Sequence, residues 1–173
     1  MSKHVLMVEP GYYTQYPPIG LLKLSSYHKN LGDSTELVRG EKKDISQEPD
    51  TIYITSLFTW AWKPVWKAVR FYSKLFPDSE LWLGGIYASL MPEHAALSGV
   101  DPKRIFKGIF TLAEDLLPDY SLVPEWNKKN GGSIILGGNL SFHKKALVMS
   151  PRLHTHCSWL VSLNFAGMQQ AKQ

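Results

Sequence analysis

The chain has 173 residues, of which 44% are hydrophobic and 20% charged, with a net charge of +4 from 19 basic and 15 acidic residues. This size and composition indicate one soluble globular domain with room for an appendage. Because no run of five or six like charges occurs, the basic balance does not argue for a nucleic-acid partner. One cysteine excludes an internal disulfide, and no apolar stretch approaches 18 residues, so we expect a cytoplasmic protein with no membrane association.

The first part of the chain alternates between strand and helix patterns. Residues 4–8 form a short apolar run that predicts the first strand, and a loop rich in tyrosine and proline follows. The apolar spacing over residues 18–31 predicts a helix that stops at a Leu-Gly pair. Residues 36–38 predict a short second strand, and residues 39–50 are a charged connection without an apolar period.

Residues 51–90 contain the clearest unit, which is a strand, a helix and a second strand. The apolar runs at 52–54 and 81–83 predict two buried strands. Between them, the period of 3.6 residues that begins at Pro64 predicts an amphipathic helix ending at Pro77. Since such crossover connections are right-handed and join parallel strands, the sheet is predicted to be parallel.

Shorter elements follow this unit. Residues 91–97 predict a helix of two turns, residues 104–107 a weak edge strand that ends at Gly108, and residues 113–117 a short last helix. The alternation of strands and helices predicts an α/β fold, a flavodoxin-like (Rossmann-like) doubly wound parallel sheet of about five strands in three α/β/α layers. We assign this domain to residues 1–126.

Residues 127–173 have a different character and are predicted to be an irregular extension. A linker over residues 128–132 leads to two strand-like runs, at 133–136 and 146–149, with turn residues between them. The stretch from 151 to the end shows no clear period, and no structure is assigned to it.

The predicted fold selects a candidate site before any motif does, because doubly wound sheets bind ligands outside the carboxyl ends of their strands, where the winding reverses. Four loops are expected to meet there, after the first, third, fourth and last strands. The candidate cofactor-binding residues on these loops are Pro10, Gly11, Tyr12, Ser56, Leu57, Phe58, Thr59, Gly84, Gly85, Tyr87 and Gly108. No acid–base constellation, metal site, Walker-type loop or Gly-x-Gly-x-x-Gly motif is apparent, so no catalytic or metal-binding residue is assigned.

Two segments resemble the signature of a known family. Residues 17–24 read Pro-Pro-Ile-Gly-Leu-Leu-Lys-Leu, and residues 83–93 read Leu-Gly-Gly-Ile-Tyr-Ala-Ser-Leu-Met-Pro-Glu. Both resemble the N-terminal cobalamin-binding-like domain of radical S-adenosylmethionine proteins, with Tyr87 where histidine is common. Residues 56–59 and 118–124 are similar to the family's third-strand loop and to its link into the radical module. The resemblance therefore spans residues 1 to about 126.

The resemblance implies that a corrinoid binds at the carboxyl edge of the sheet. Gly84 and Gly85 would let its nucleotide tail approach the backbone closely, and Ser56 and Thr59 would hydrogen-bond its amides or phosphate. An apolar slot would be lined by Tyr87, Phe58 and Trp60. Because the loop over residues 9–14 contains no histidine, cobalamin would be bound base-off, without a histidine ligand from this loop.

The chain departs from the family in its cysteines. A radical module holds its four-iron cluster with three cysteines spaced CxxxCxxC, whereas this chain has only Cys157. We therefore expect no iron–sulfur cluster in this chain and no catalysis by the chain alone. Residues 146–150 resemble the strand that leads to the first cluster cysteine, so the segment after about residue 150 is interpreted as a truncated or frameshifted start of a radical module.

Three functions stay open on the sequence. The first is a corrinoid-binding domain that serves a radical S-adenosylmethionine module or another protein partner. The second is a degenerate domain that acts as an interaction or substrate-positioning scaffold, and the third is a small flavin- or nucleotide-binding module. The glycine pair also has an ordinary interpretation as a turn, and the tryptophans at 60, 62 and 66 have one as packing.

Overall fold

The computed structural model describes residues 2–14 and 16–125 of the chain. The chain divides into two units, Met1–Val123 and Pro124–Gln173. The predicted linker, strands and interrupted radical module in residues 127–173 lie outside the described residues, as does Cys157, and they stay predictions.

The sheet has four parallel strands in the order β2-β1-β3-β4. The strands are β1 (His4–Glu9), β2 (Ser34–Arg39), β3 (Thr51–Thr55) and β4 (Glu80–Gly84). From β1 the chain moves outward to β2 and then returns to the other side of β1 to form β3. The winding therefore reverses between β1 and β3, which confirms the doubly wound, flavodoxin-like α/β fold.

A fifth strand was predicted over residues 104–107, but this segment does not form one. Pro102–Arg104 is a turn of 3₁₀ helix, and Ile105 makes a single parallel bridge to Leu83. The next amide, that of Phe106, donates to the Leu83 carbonyl at 2.8 Å, and Gly108 then takes a φ of 86°. Because turns flank both ends of this extended stretch, it is too short for a ladder, and the sheet has four strands instead of five.

Five α-helices accompany the sheet in the described part of the chain. They are α1 (Ile19–Asn30), α2 (Trp62–Leu75), α3 (Ile86–Leu90), α4 (Pro92–Ala96) and α5 (Thr111–Glu114). Helix α3 was not predicted, because the residues after the Gly84-Gly85 pair were expected to form the loop that follows the fourth strand. The longest of these helices, α2, has 14 residues, and none of the described helices is long and apolar enough to cross a membrane.

The core lies on both faces of the sheet, which is why the strand sequences are apolar without alternation. Along β1, Leu6 and Val8 belong to a cluster that α2 covers, whereas Val5 and Met7 pack with Leu21 of α1. All four of these β1 side chains are fully buried. The two helices thus form the outer layers of the predicted α/β/α arrangement.

The charged connection between β2 and β3 contains no helix, and a buried tyrosine fastens its first residues. The Tyr72 hydroxyl on α2 donates to the Gly40 carbonyl at 2.9 Å and accepts from the Lys42 amide at 3.1 Å. Backbone polar groups at the start of the connection are therefore satisfied by a side chain. This contact also holds the chain that leaves β2 beside α2.

Asp119, close to the end of the described residues, forms an ion pair and a hydrogen bond with α1. Its carboxylate lies 2.6 Å from the Lys29 ammonium and accepts from the Ser25 hydroxyl at 2.6 Å. Burial raises the pKa of Asp119, but the hydrogen bonds from Lys29, Ser121 and Ser25 outweigh it and hold this pKa below its ordinary value of 3.8. The ionised carboxylate therefore stabilises the contact between α1 and this segment.

Replacing Asp119 by asparagine is expected to remove part of the acid sensitivity of folding. Since the folded pKa is lowered, the stabilisation by Asp119 is fully present above its unfolded pKa and is lost as the pH falls through its folded pKa. Urea unfolding should show the variant about 1 kcal/mol less stable than the wild type at neutral pH. The difference should shrink as the pH falls through the folded pKa of Asp119, which lies below 3.8. The exposed Asp78→Asn variant is the control, and a difference for Asp119→Asn that does not vary with pH would contradict the assignment.

Candidate functional site

The loops after β1 and β3 meet at the point where the winding reverses. The ring of Tyr12 contacts Phe58 edge to face at 5.7 Å, and Phe58 stacks on Trp60 with centroids 4.8 Å apart and an interplanar angle of 19°. The Tyr12 hydroxyl is also hydrogen-bonded to the backbone of Leu57. These contacts bring together four residues that the sequence places at the site, namely Tyr12, Leu57, Phe58 and Trp60. The three aromatic rings among them form a continuous row.

This edge of the sheet also exposes large side chains to solvent. Trp60 is 72% exposed, although Phe58 stacks on it, and Tyr13, Tyr16 and Leu57 are exposed as well. Large apolar side chains on two adjacent loops are the kind of surface that binds a ligand or a partner. We call Tyr12, Leu57, Phe58 and Trp60 the edge aromatic surface, with Leu57 as its aliphatic member.

An ion pair between a buried carboxylate and a half-exposed arginine lies at the carboxyl ends of β1 and β2. The Glu9 side chain is only 3% exposed, and its Oε2 atom is 2.5 Å from Nε of Arg39 on β2. Burial raises the pKa of Glu9, and the neighbouring Arg39 opposes this shift. Burial and the Glu9 carboxylate together raise the pKa of Tyr12, which therefore stays a neutral phenol.

The glycine pair was expected to let a ligand approach the backbone closely. At Gly85 the space beside the backbone is instead occupied by Ser56 of the same chain. The φ of Gly85 is +103°, and a Cβ atom added there would lie 2.6 Å from the carbonyl oxygen of Ser56 and 2.8 Å from its nitrogen. No other residue fits this position without a backbone shift. Gly84 is less crowded, because a Cβ there would meet Phe106 only at 3.8 Å.

Ser56 uses its hydroxyl inside the protein. The side chain is fully buried, donates to the Gly84 carbonyl at 2.6 Å and accepts from the Ala88 amide at 3.1 Å. Its backbone carbonyl accepts from the Tyr87 amide at 3.1 Å. Ser56 therefore joins the loop after β3 to the start of α3. Thr59, by contrast, is half-buried, and no described residue hydrogen-bonds to its hydroxyl.

The Tyr87 side chain lies between α2 and α4. It is fully buried, its hydroxyl is 2.7 Å from Nδ1 of His94 on α4, and it accepts a hydrogen bond from Trp66 on α2 at 3.0 Å. Burial raises the pKa of Tyr87, while the hydrogen bond from Trp66 lowers it. Trp66 also contacts Trp62 and His94. This aromatic cluster is packing between α2 and α4, as the ordinary interpretation of the tryptophans had it.

The remaining predicted residues lie at the two ends of the site. Pro10 is buried and Gly11 is exposed directly after β1. Gly108 is exposed, and its amide donates to the Ser89 hydroxyl at 3.0 Å, which in turn donates to the Gly85 carbonyl at 2.8 Å. Gly108 is thus linked to the start of α3, beyond β4.

The sequence did not indicate a shallow cavity of about 310 Å³ beside Gly11. It is lined by Gly11, Glu41, Lys63, Pro64 and Lys67. The Lys67 ammonium is 2.7 Å from a Glu41 oxygen, and the Lys63 ammonium lies over the Trp62 ring at 5.6 Å. In the sequence these lysines form the solvent face of α2, and only the packing of α2 against the β2–β3 connection brings them to the sheet edge. Arg39 and Glu9 were not predicted as a pair, because the register between β1 and β2 brings them together and no local pattern specifies that register.

Comparisons with known proteins give similarities to solved structures alone. No family model and no curated protein matches the chain. Two structures of TsrM, a radical S-adenosylmethionine methyltransferase from Kitasatospora setae, match 58% of this chain at 19% identity. One holds a tryptophan substrate and a SAM analog and has a TM-score of 0.49; the other holds cobalamin and a [4Fe-4S] cluster and has a TM-score of 0.48. The matched region covers 22% of the TsrM chain, and we base no functional conclusion on a similarity of this size.

Proposed function

We propose that residues 1–126 bind a corrinoid, cobalamin, at the carboxyl edge of the sheet and are not catalytic by themselves. The observation that carries the proposal is the edge aromatic surface at the reversal between β1 and β3, with Trp60 stacked on Phe58 and yet largely exposed. A corrin ring is broad and apolar with uncharged amides at its rim. Exposed, uncharged aromatic faces beside the Thr59 hydroxyl suit such a ring.

In this proposal the ring lies on the edge aromatic surface, and the nucleotide tail needs a different place from the one that the sequence predicted. The backbone of Ser56 already occupies the space beside Gly85, so the tail would not pass there in this conformation. The cavity beside Gly11 is the alternative that we propose, because the Lys63 side chain lines it and would attract the tail's phosphate, whereas Lys67 is paired with Glu41. The described loop residues at this edge include no histidine, in keeping with a base-off corrinoid.

The corrinoid, when bound, would supply the reactive metal, and the chain's own residues would bind and orient it. We propose a radical S-adenosylmethionine module as the partner, since such a module would bring the iron–sulfur cluster for which this chain has too few cysteines. The edge aromatic surface would then lie between the two, with one part against the corrinoid and the rest open to the partner.

Replacing Trp60 by alanine is expected to weaken corrinoid binding without unfolding the protein. Loss of one stacking face should raise the dissociation constant for hydroxocobalamin about tenfold. Equilibrium dialysis with visible absorbance measures the constant, and thermal unfolding checks the fold. Leu97→Ala, at a similarly exposed apolar position elsewhere on the domain, is the matched control and should bind like the wild type.

The wild-type protein gives the decisive result for the proposal itself. Corrinoid absorbance that survives desalting supports it, whereas a folded protein that retains none contradicts it. The second outcome would favour the scaffold function. The backbone of Ser56 already fills the space beside Gly85, where a ligand was expected to lie, and this filled space is compatible with a scaffold. A protein that is yellow as purified would instead favour a flavin.

A further inference from the structure

One side chain, that of Arg39, bridges the end of β1 and the far part of the loop that follows it. Arg39 is the last residue of β2 and pairs in register with Glu9. Its Nε atom is 2.5 Å from the Glu9 carboxylate, and its Nη2 atom donates to the Tyr16 carbonyl at 3.2 Å. The guanidinium therefore uses two of its donors in different directions, one toward the buried carboxylate and one toward the loop.

The two contacts have different consequences. The contact with Glu9 neutralises a carboxylate that is almost completely buried, so it contributes to folding. The contact with Tyr16 links the loop to the sheet, whereas the hydrogen bonds between Thr14 and Tyr16 act within the loop. The same loop carries Tyr12, which packs on Phe58 in the edge aromatic surface.

We propose that Arg39 is a positioning residue for the corrinoid site, holding the loop after β1 so that Tyr12 stays beside Phe58. The inference rests on the proposed function for its ligand. A loop that is in place for only a fraction of the time lowers the apparent affinity by that fraction. In this proposal Arg39 acts through the loop and does not contact the corrinoid.

Arginine is required for this role because its planar fork reaches two acceptors at once. Lysine keeps the positive charge for Glu9 but carries all its donors on one nitrogen, whereas Arg39 reaches its two acceptors from two nitrogens, so we expect lysine to lose the contact with Tyr16. Arg39→Lys thus separates positioning from charge, and Arg39→Gln removes both. The matched control is Arg104→Lys, because Arg104 makes a comparable but longer contact of 3.7 Å with Glu80 near β4.

The experiment combines hydrogen exchange with hydroxocobalamin binding on the full chain. In Arg39→Lys we expect the amides of residues 11–14 and 16 to exchange about tenfold faster and the dissociation constant to rise in the same proportion. Its unfolding midpoint should stay close to that of the wild type. Arg39→Gln should show both effects together with a lower midpoint, since Glu9 is then buried without its cation. Arg104→Lys should leave the loop exchange and the binding unchanged.

The outcomes distinguish this inference from the proposed function. If the wild type binds hydroxocobalamin and Arg39→Lys binds equally well, the positioning role is overturned. If the loop amides in Arg39→Lys exchange at the wild-type rate, the inference that Arg39 holds the loop through Tyr16 is overturned, whether or not any ligand binds. If the wild type binds no corrinoid but the variant's loop exchanges faster, the proposed function fails, and Arg39 is shown to hold the loop without a corrinoid to position it for.

Discussion

Replacing Gly85 by alanine is expected to lower the free energy of unfolding by about 4 kcal/mol, the largest effect that we predict for a single substitution. Two costs add at this residue. A φ of +103° is strained for any residue with a side chain, and the new Cβ atom would lie 2.6 Å from the Ser56 carbonyl oxygen. The neighbouring atoms are backbone, so they cannot move aside as a flexible side chain would.

Gly99 provides a control with the same backbone angle. Its φ is also +103°, but a Cβ atom there would have nothing within 4 Å. Gly99→Ala should therefore show only the conformational cost, about 1–2 kcal/mol. Urea unfolding followed by circular dichroism measures both variants. Equal losses of stability would mean that the contact between Gly85 and Ser56 is not as close as described.

This result bears on how ligand binding is tested. A bulky residue at Gly85 would abolish corrinoid retention through misfolding alone, so such a variant says nothing about where the ligand lies. Trp60, which is exposed, and Arg39→Lys, which keeps its charge, are better probes because the fold does not depend on them to the same degree.

Replacing Ser56 by alanine is expected to cost about 2 kcal/mol of stability. The variant loses the donor to the Gly84 carbonyl and the acceptor for the Ala88 amide, and both groups stay near a fully buried position where water cannot replace the hydroxyl. Corrinoid binding should weaken only as far as the site loosens. Thermal and urea unfolding, together with binding at a temperature well below the midpoint, separate the two effects.

The control for Ser56 is an exposed serine with a similar hydrogen bond. The Ser121 hydroxyl donates to Asp119 at 2.6 Å, but it is exposed, so water can take its place. Ser121→Ala should change the free energy of unfolding by less than about 0.5 kcal/mol. A loss at Ser56 no larger than this would show that its hydroxyl is not committed inside the protein, and would restore it as a candidate ligand donor.

Much of the fold was predictable because its signals are local. The unbroken apolar runs of β1, β3 and β4 indicate strands buried on both faces, and the stripe of α2 indicates a helix with one covered side. The connection between β3 and β4 then makes the sheet parallel. The prediction of a fifth strand was wrong. Strand pairing depends on the length of extended chain that runs beside β4, and the turns on either side of Ile105 leave an extended segment that is too short.

The location of the candidate site could be predicted from the sequence, but the role of each residue there could not. The convergence of the loops at the reversal follows from topology, and Tyr12, Phe58 and Trp60 do meet there. Ser56 and Tyr87 carry ligand-type hydroxyls, yet both use them inside the protein. Whether any of the predicted residues contacts a ligand stays a prediction, to be decided by the binding experiments.

The sequence by itself determined the parallel, doubly wound sheet and the edge where the loops after β1 and β3 meet, because the periods and breaks that specify them lie within a few residues of each other. Only the tertiary structure decided what each residue at that edge does. The contacts of Ser56 with Gly84 and Gly85, and of Arg39 with Glu9 and Tyr16, join residues that are more than 20 apart in the chain. Such contacts depend on how close the packed loops come, and no local pattern encodes that distance.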